Sequence, residues 1–190
     1  IVRILNSDPL LKGKVAYDAF SVRVLALGAL PWNATTERRL WTDSDDAGVQ
    51  WYLEYRFDIT GKDKILSALL LVAERNSFND VVEYLLSVTW DEKDRLDDLF
   101  RDYLGAPDTP YTRTVCRKAF VAAVARAMTP GCKYDYVPVL VGRQSLGKST
   151  FLQTVAKSWF SDSFSTFDGK DAVESIQGRW IIELAEMTGY

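Results

Sequence analysis

The 190-residue sequence contains no histidine. That excludes imidazole general bases, Cys–His nucleophilic pairs and every zinc site that needs an imidazole ligand. Cysteine is scarce too: Cys116 and Cys132 stand in unrelated contexts with no CxxC spacing. Neither a disulfide framework nor a zinc site is expected, and the chain reads as one made for a reducing cytoplasm. Apolar runs such as "ILSALLLVA" are too short to cross a bilayer, and no signal peptide is visible, so no membrane association is expected. Nor does one sign of charge dominate. A formal net charge of -3 argues against a surface devoted wholly to nucleic acid, while leaving room for a local basic patch. The chain opens on Ile1 and stops at Tyr190 just after a strand-like segment, which reads as a piece of a longer protein.

What is present is an ordinary globular composition, 47% apolar and 26% charged. The first forty residues hold a possible strand, "KVAYDAFSVRVLAL", and a turn-rich stretch, "PWNATTERRLWTDSDD". Helical spacing then becomes plain. Ile65, Leu69 and Val72 mark one helix, and Phe78, Val81, Val82, Leu85 and Leu86 a second. Leu96, Leu99, Phe100, Tyr103 and Leu104 mark a third, and Cys116, Phe120, Val124 and Ala127 a fourth. Asp91, with Asp94 three residues on, has the form of a helix N-cap. "GAPDTP" and "TPGCKYDY" read as loops, and "VPVLV" has the β-branched character of a strand buried on both faces. The expected class is α/β: a mainly helical region over 1–130, then the first part of a P-loop NTPase domain over 131–190, cut short at its C-terminal end.

That expectation rests on "VPVLVGRQSLGKSTFLQTVA". Gly142, four residues, Gly147, Lys148 and Ser149 match G-x-x-x-x-G-K-[ST] in full, between an expected strand and an expected helix. Glycines let the backbone approach a ligand closely. Successive N–H groups across Gly142, Arg143, Gln144, Ser145, Leu146 and Gly147 could then surround a polyphosphate, helped by the positive end of the following helix. Lys148 would reach the β- and γ-phosphates, Ser149 would offer its hydroxyl to Mg²⁺, and Thr150 would lie towards the α-phosphate. ATP and Mg²⁺ are therefore the expected ligands. Further on, "GRWIIELAEM" ends an apolar run in carboxylates, and Glu186 and Glu183 are candidates for holding Mg²⁺ or polarising the attacking water. A glutamate inside a strand must be exposed, paired or functional.

Other features stay open. Arg113, Arg117, Lys118, Arg126, Lys133 and Arg143 form either solvated helix faces or a surface for phosphate or nucleic acid. "DEKDRLDDLFRDYL" reads as a solvated acidic face rather than a metal site. The six tryptophans could stack bases, although aromatic residues of helical domains are usually core.

Taken together, "WDEKDRLDDL", "YLGAPDTPY", "VARAMTPGCKYDYVPVL", the loop and "GRWIIELAEM" resemble the virulence-associated protein E family of phages, prophages and mobile islands. The resemblance runs from about residue 50 to the end. It implies an ATPase core similar to superfamily 3 helicases and AAA+ proteins, acting in DNA replication of a mobile element. It also implies single-stranded DNA and a primase-like domain as partners and a ring-forming homo-oligomer. Nucleotide phosphates would lie on Gly142 through Thr150, with Mg²⁺ held by Ser149 and Glu186, and Glu183 beside it. One departure is Ser145, where the family loop usually carries glycine. An arginine finger, worth about 10³–10⁵ in rate, would come from outside this chain, so weak hydrolysis is expected of the chain alone. Two other functions stand beside this one: a nucleotide-switched DNA- or protein-binding module without turnover, and a small-molecule kinase using the same loop.

Overall fold

The computed structural model describes residues 1–164 and 169–184. The chain is mixed α/β and divides into two compact units, Ile1–Asp80 and Val81–Tyr190. The change of pattern near residue 130 thus falls inside the second unit.

The first unit begins with α1 (Val2–Ser7). "KVAYDAFSVRVLAL" forms two strands rather than one, β1 (Val15–Asp18) and β2 (Arg23–Ala26), paired antiparallel with Val15 opposite Ala26. The turn between them places Val22 at φ 58, a costly conformation for a β-branched residue. A short β3 (Arg39–Leu40) pairs with β2 to complete the sheet. Helices α2 (Asp43–Phe57) and α3 (Lys62–Arg75) follow. Leu5, Val15, Val49, Leu53, Ile65 and Leu69 lie at the centre of one apolar core.

The turn-rich stretch at 31–46 hides the start of α2. Thr42 accepts from the Asp45 backbone while the Asp45 carboxylate accepts from the Thr42 backbone, a reciprocal capping box. Asp45 is buried and also accepts from Trp32 Nε1 at 2.9 Å and from both Arg39 Nη atoms at 2.6 Å. Burial opposes its charge, but the bonds from Arg39, Trp32 and Thr42 outweigh that and hold the carboxyl well below its ordinary range. One turn on, the indole of Trp32 lies so close to Gly48 that an added Cβ would fall 2.2 Å from its Cγ.

In the second unit the helices expected from spacing are present with altered bounds: α4 (Asp80–Ser87), α5 (Leu99–Leu104), α6 (Pro110–Met128) and α7 (Lys148–Ala156). Phe78 lies outside α4 and within the first unit, where its carbonyl accepts from Ala19 N–H at 2.9 Å. Asp91 caps nothing. It takes both Nη atoms of Arg95 at 2.7 and 2.6 Å, and this ion pair lowers its pKa to about 2. Helix α5 starts only at Leu99, after Asp98, and ends at Gly105 in the left-handed conformation. Thr109 caps α6 by accepting from Thr112 N–H at 3.1 Å, with Pro110 in the first turn.

After α7 come a 3₁₀ turn (Lys157–Trp159), β4 (Phe160–Ser161), α8 (Gly169–Ile176) and β5 (Ile181–Ile182). Strands β4 and β5 are parallel, with Phe160 opposite Ile181. The expected strand "VPVLV" does not pair with any strand among the described residues. Val137, Val139 and Val141 are 72%, 78% and 91% exposed, so the expectation of burial on both faces is corrected. Its composition suits a strand, but a strand exists only where a partner supplies hydrogen bonds, and composition cannot specify that. Leu140 alone of the segment packs inward, beside Phe100, Leu104, Cys116 and Phe151.

Candidate functional site

Helix α7 is fixed by its apolar side. Phe151 lies 6.1 Å from Phe100, 6.0 Å from Phe120 and 6.0 Å from Tyr103 between ring centroids, so three aromatic rings of α5 and α6 hold its first turn. The loop before it, Gly142–Gly147, is exposed throughout. Gly147 adopts φ 83 and forms the N-cap, its carbonyl accepting from Phe151 N–H at 2.9 Å. That backbone region favours glycine, which accounts for the residue there. Ser145 also adopts a left-handed φ, 63, which costs a residue with a side chain about 1 kcal/mol of backbone strain.

Lys148 is half-buried and turns back over the loop. Its Nζ donates to the carbonyls of Gly142 at 3.1 Å and Arg143 at 3.0 Å, tying the start of the loop to its end. Arg143, Gln144, Ser145 and Leu146 project from the exposed bend, and Thr150 lies exposed in the first turn of α7. A Cβ on Gly142 would meet Leu146 Cδ2 at 3.2 Å, a contact the end of that leucine could relieve.

The structure joins one residue of the loop to one from far along the chain. Ser149 Oγ donates to Glu183 Oε1 at 2.7 Å across 34 residues. Glu183 directly follows β5, and its N–H donates to Ser161 of β4 at 2.8 Å, so the parallel pair sets its position. The second carboxylate oxygen, Oε2, is buried with no hydrogen-bond partner among the described residues. A buried, unpartnered carboxylate oxygen is costly and marks a place where a cation or donor belongs. Glu186 lies outside the described residues. Among the described residues no group of three or more Cys, Asp and Glu side chains gathers as a metal site.

Two of the six basic candidates are neutralised. Arg113 bonds to Asp108 at 2.7 Å and lies 3.1 Å from Asp98, while Arg117 pairs with Asp97. These partners hold Asp108 and Asp97 below the ordinary carboxylate range. Lys133 makes an exposed pair with Asp135 at 3.1 Å. Arg126 meets the Tyr134 carbonyl at 3.5 Å. The acidic stretch 91–104 is therefore an ion-pair partner for α6, beyond the solvated face expected from sequence. Of the six tryptophans, Trp32 and Trp41 pack against the first core, Trp51 and Trp90 are exposed, Trp159 lies against the Tyr84 ring, and Trp180 donates to the Ala123 carbonyl.

Residues 85–190, more than half the chain, match the family model of the virulence-associated protein E-like domain. The chain belongs to this family. Membership points to a phage or mobile-element protein. No curated protein matches the chain individually. No helix among the described residues is long and apolar enough to cross a membrane. The family resemblance put Glu183 beside Ser149 and Glu186, but the direct Ser149–Glu183 bond had no signal in the sequence. A strand-end glutamate 34 residues after a hydroxyl carries no periodic signal, and only the parallel β4–β5 pairing brings the two together.

Proposed function

We propose that this virulence-associated protein E-like chain binds a nucleoside triphosphate with Mg²⁺ at the loop 142–150, as the phosphate-binding part of an ATPase acting on DNA in a mobile element. The observation that carries the proposal is the 2.7 Å bond from Ser149 to Glu183. It sets a hydroxyl in the first turn of a glycine-bounded helix against a carboxylate at the end of a neighbouring parallel strand. That arrangement is what a Mg²⁺–phosphate site requires.

The residues present fit the metal. Ser149 Oγ and Glu183 offer hard oxygen ligands, and the unpartnered Oε2 supplies the negative charge a divalent cation would satisfy. When bound, Mg²⁺ supplies charge neutralisation between the β- and γ-phosphate oxygens. The chain's own residues do the rest. Backbone N–H groups of the loop and the start of α7 receive the phosphates, and the dipole of α7 adds to their pull. Lys148, already anchored on two loop carbonyls, has its remaining donor capacity for the β- and γ-phosphates. Thr150 lies next along the helix, towards the α-phosphate. Glu183 takes the metal-side role beside Ser149 that the family resemblance gave to Glu186, and Glu186, three residues on, becomes the candidate to orient the attacking water. Single-stranded DNA, a ring of copies, a primase-like partner and a cytoplasmic setting belong to the same proposal through family membership.

The test is a thermal-shift titration of the chain with ATP, with and without Mg²⁺. A ligand at a hundred times its Kd stabilises by about 2.7 kcal/mol, so a clear upward shift is expected for the wild type. It should vanish in Lys148→Ala. In Glu183→Gln the ATP shift should persist without its Mg²⁺-dependent increment. Equal shifts in all three proteins, or none in the wild type, would reject the site.

A further inference from the structure

A second surface of the same unit lies between α6 and the loop that follows it. A groove of about 340 Å³ runs along α6, floored by Val121, Ala122 and Ala125, with Cys132 and Tyr134 on the opposite wall and Lys118 at its end. At about 1.5 Å per helical residue, Lys118 to Ala125 spans roughly 10 Å. Tyr134 stands edge-on to Tyr136, ring centroids 5.6 Å apart, and Tyr136 is 73% exposed. Arg126, one residue beyond Ala125 on α6, donates to the Tyr134 carbonyl at 3.5 Å. Lys133 is on the rim, engaged with Asp135 in a solvent-exposed pair that a stronger anion would readily replace.

The cations along this groove differ in whether a carboxylate already holds them, and Lys133 is engaged with Asp135. Arg117, on the groove wall, is already paired with Asp97 and is not counted as available. Lys118 and Arg126 have no carboxylate partner among the described residues.

We infer that this groove is a docking site for single-stranded nucleic acid, with Tyr134 and Tyr136 as stacking surfaces and Lys118, Arg126 and Lys133 as phosphate contacts. Unpaired bases have free faces for aromatic rings, and their backbone supplies regularly spaced anions, so apolar floor, rings and cations are all used by one ligand. A duplex buries its base faces and would engage only the cations. The inference rests on the nucleic-acid part of the proposed function and not on the phosphate loop.

The experiment is fluorescence anisotropy of the 190-residue chain with labelled oligothymidine, oligouridine and a duplex of equal length, over a series of salt concentrations. Tighter binding of single strands than of duplex is expected, with oligothymidine and oligouridine telling DNA from RNA. Tyr136→Ala removes an exposed ring and should weaken single-strand binding by about five- to a hundredfold, the range expected for loss of one stacked base. Lys118→Ala should weaken it and lower the salt slope by about 0.7. Lys148→Ala should leave oligonucleotide binding intact, which separates this surface from the phosphate loop. Unchanged affinity in both groove variants overturns the inference, as does equal binding of duplex or equal loss in Lys148→Ala. A protein ligand as the true occupant would appear as wild-type failure to bind any oligonucleotide, which also overturns it.

Discussion

At Asp45 a single carboxylate joins a helix start, a strand and an indole. It is buried, caps α2 with Thr42, and takes three further bonds from Arg39 and Trp32. Its folded pKa lies below its unfolded value, so its stabilisation is complete above the ordinary carboxylate range and is lost as pH falls through the lower folded value. Asp45→Asn should cost about 3 kcal/mol at neutral pH, as expected for a broken buried pair. The gap to wild type should narrow once pH drops below about 4. Urea denaturation at pH 7 and pH 3 measures both, and equal losses at the two would contradict this account. Ser145 makes a different point at the same scale. Its place in the loop was legible, but its left-handed backbone was not, because serine gives no sign of φ.

Among the elements, legibility followed the visibility of the apolar period. Helices α3, α6 and α7 were readable because their spacing or their loop marks them. Helix α2 was not, although its buried positions, Asp45, Gly48, Val49, Tyr52 and Leu53, keep helical spacing perfectly well. Two of the five are aspartate and glycine, so the stripe vanishes from a count of apolar residues. The capping pattern Thr42–Asp45 was the available signal. The reverse error occurred at "VPVLV", whose side chains suit a strand that no described segment pairs with. Helix α6 depends on its first turn as well as its packing. Thr109→Ala removes the bond to Thr112 N–H and should cost about 1 kcal/mol of stability, read from the denaturation midpoint of the second unit. No change there would mean that Pro110 and the packing of α6 suffice.

For the molecule as a whole, the division after Asp80 matters most. Each unit has its own apolar cluster, one around Leu53 and Ile65, the other around Phe100 and Cys116. Calorimetry should therefore resolve two transitions rather than one. Asp45→Asn should lower only the first unit's, and Mg-ATP should raise only the second's. A single cooperative transition moved by both would refute that separation. The candidate site lies wholly in the second unit. Its loop was legible from the motif running from Gly142 to Ser149, whereas Glu183 as partner of Ser149 depended on strand pairing that no short motif encodes.

The bare stretch from Val137 to Val141 has a practical consequence. Three valines open to water, on a segment that pairs with no strand among the described residues, form an adhesive rim, prone to joining other chains edge to edge. Pro138 interrupts that segment's row of donors, and Arg143 flanks it with repelling charge. Raising ionic strength screens the repulsion while leaving the valines as they are. Concentrated, salty solutions of the chain should therefore turn cloudy before dilute, low-salt ones do.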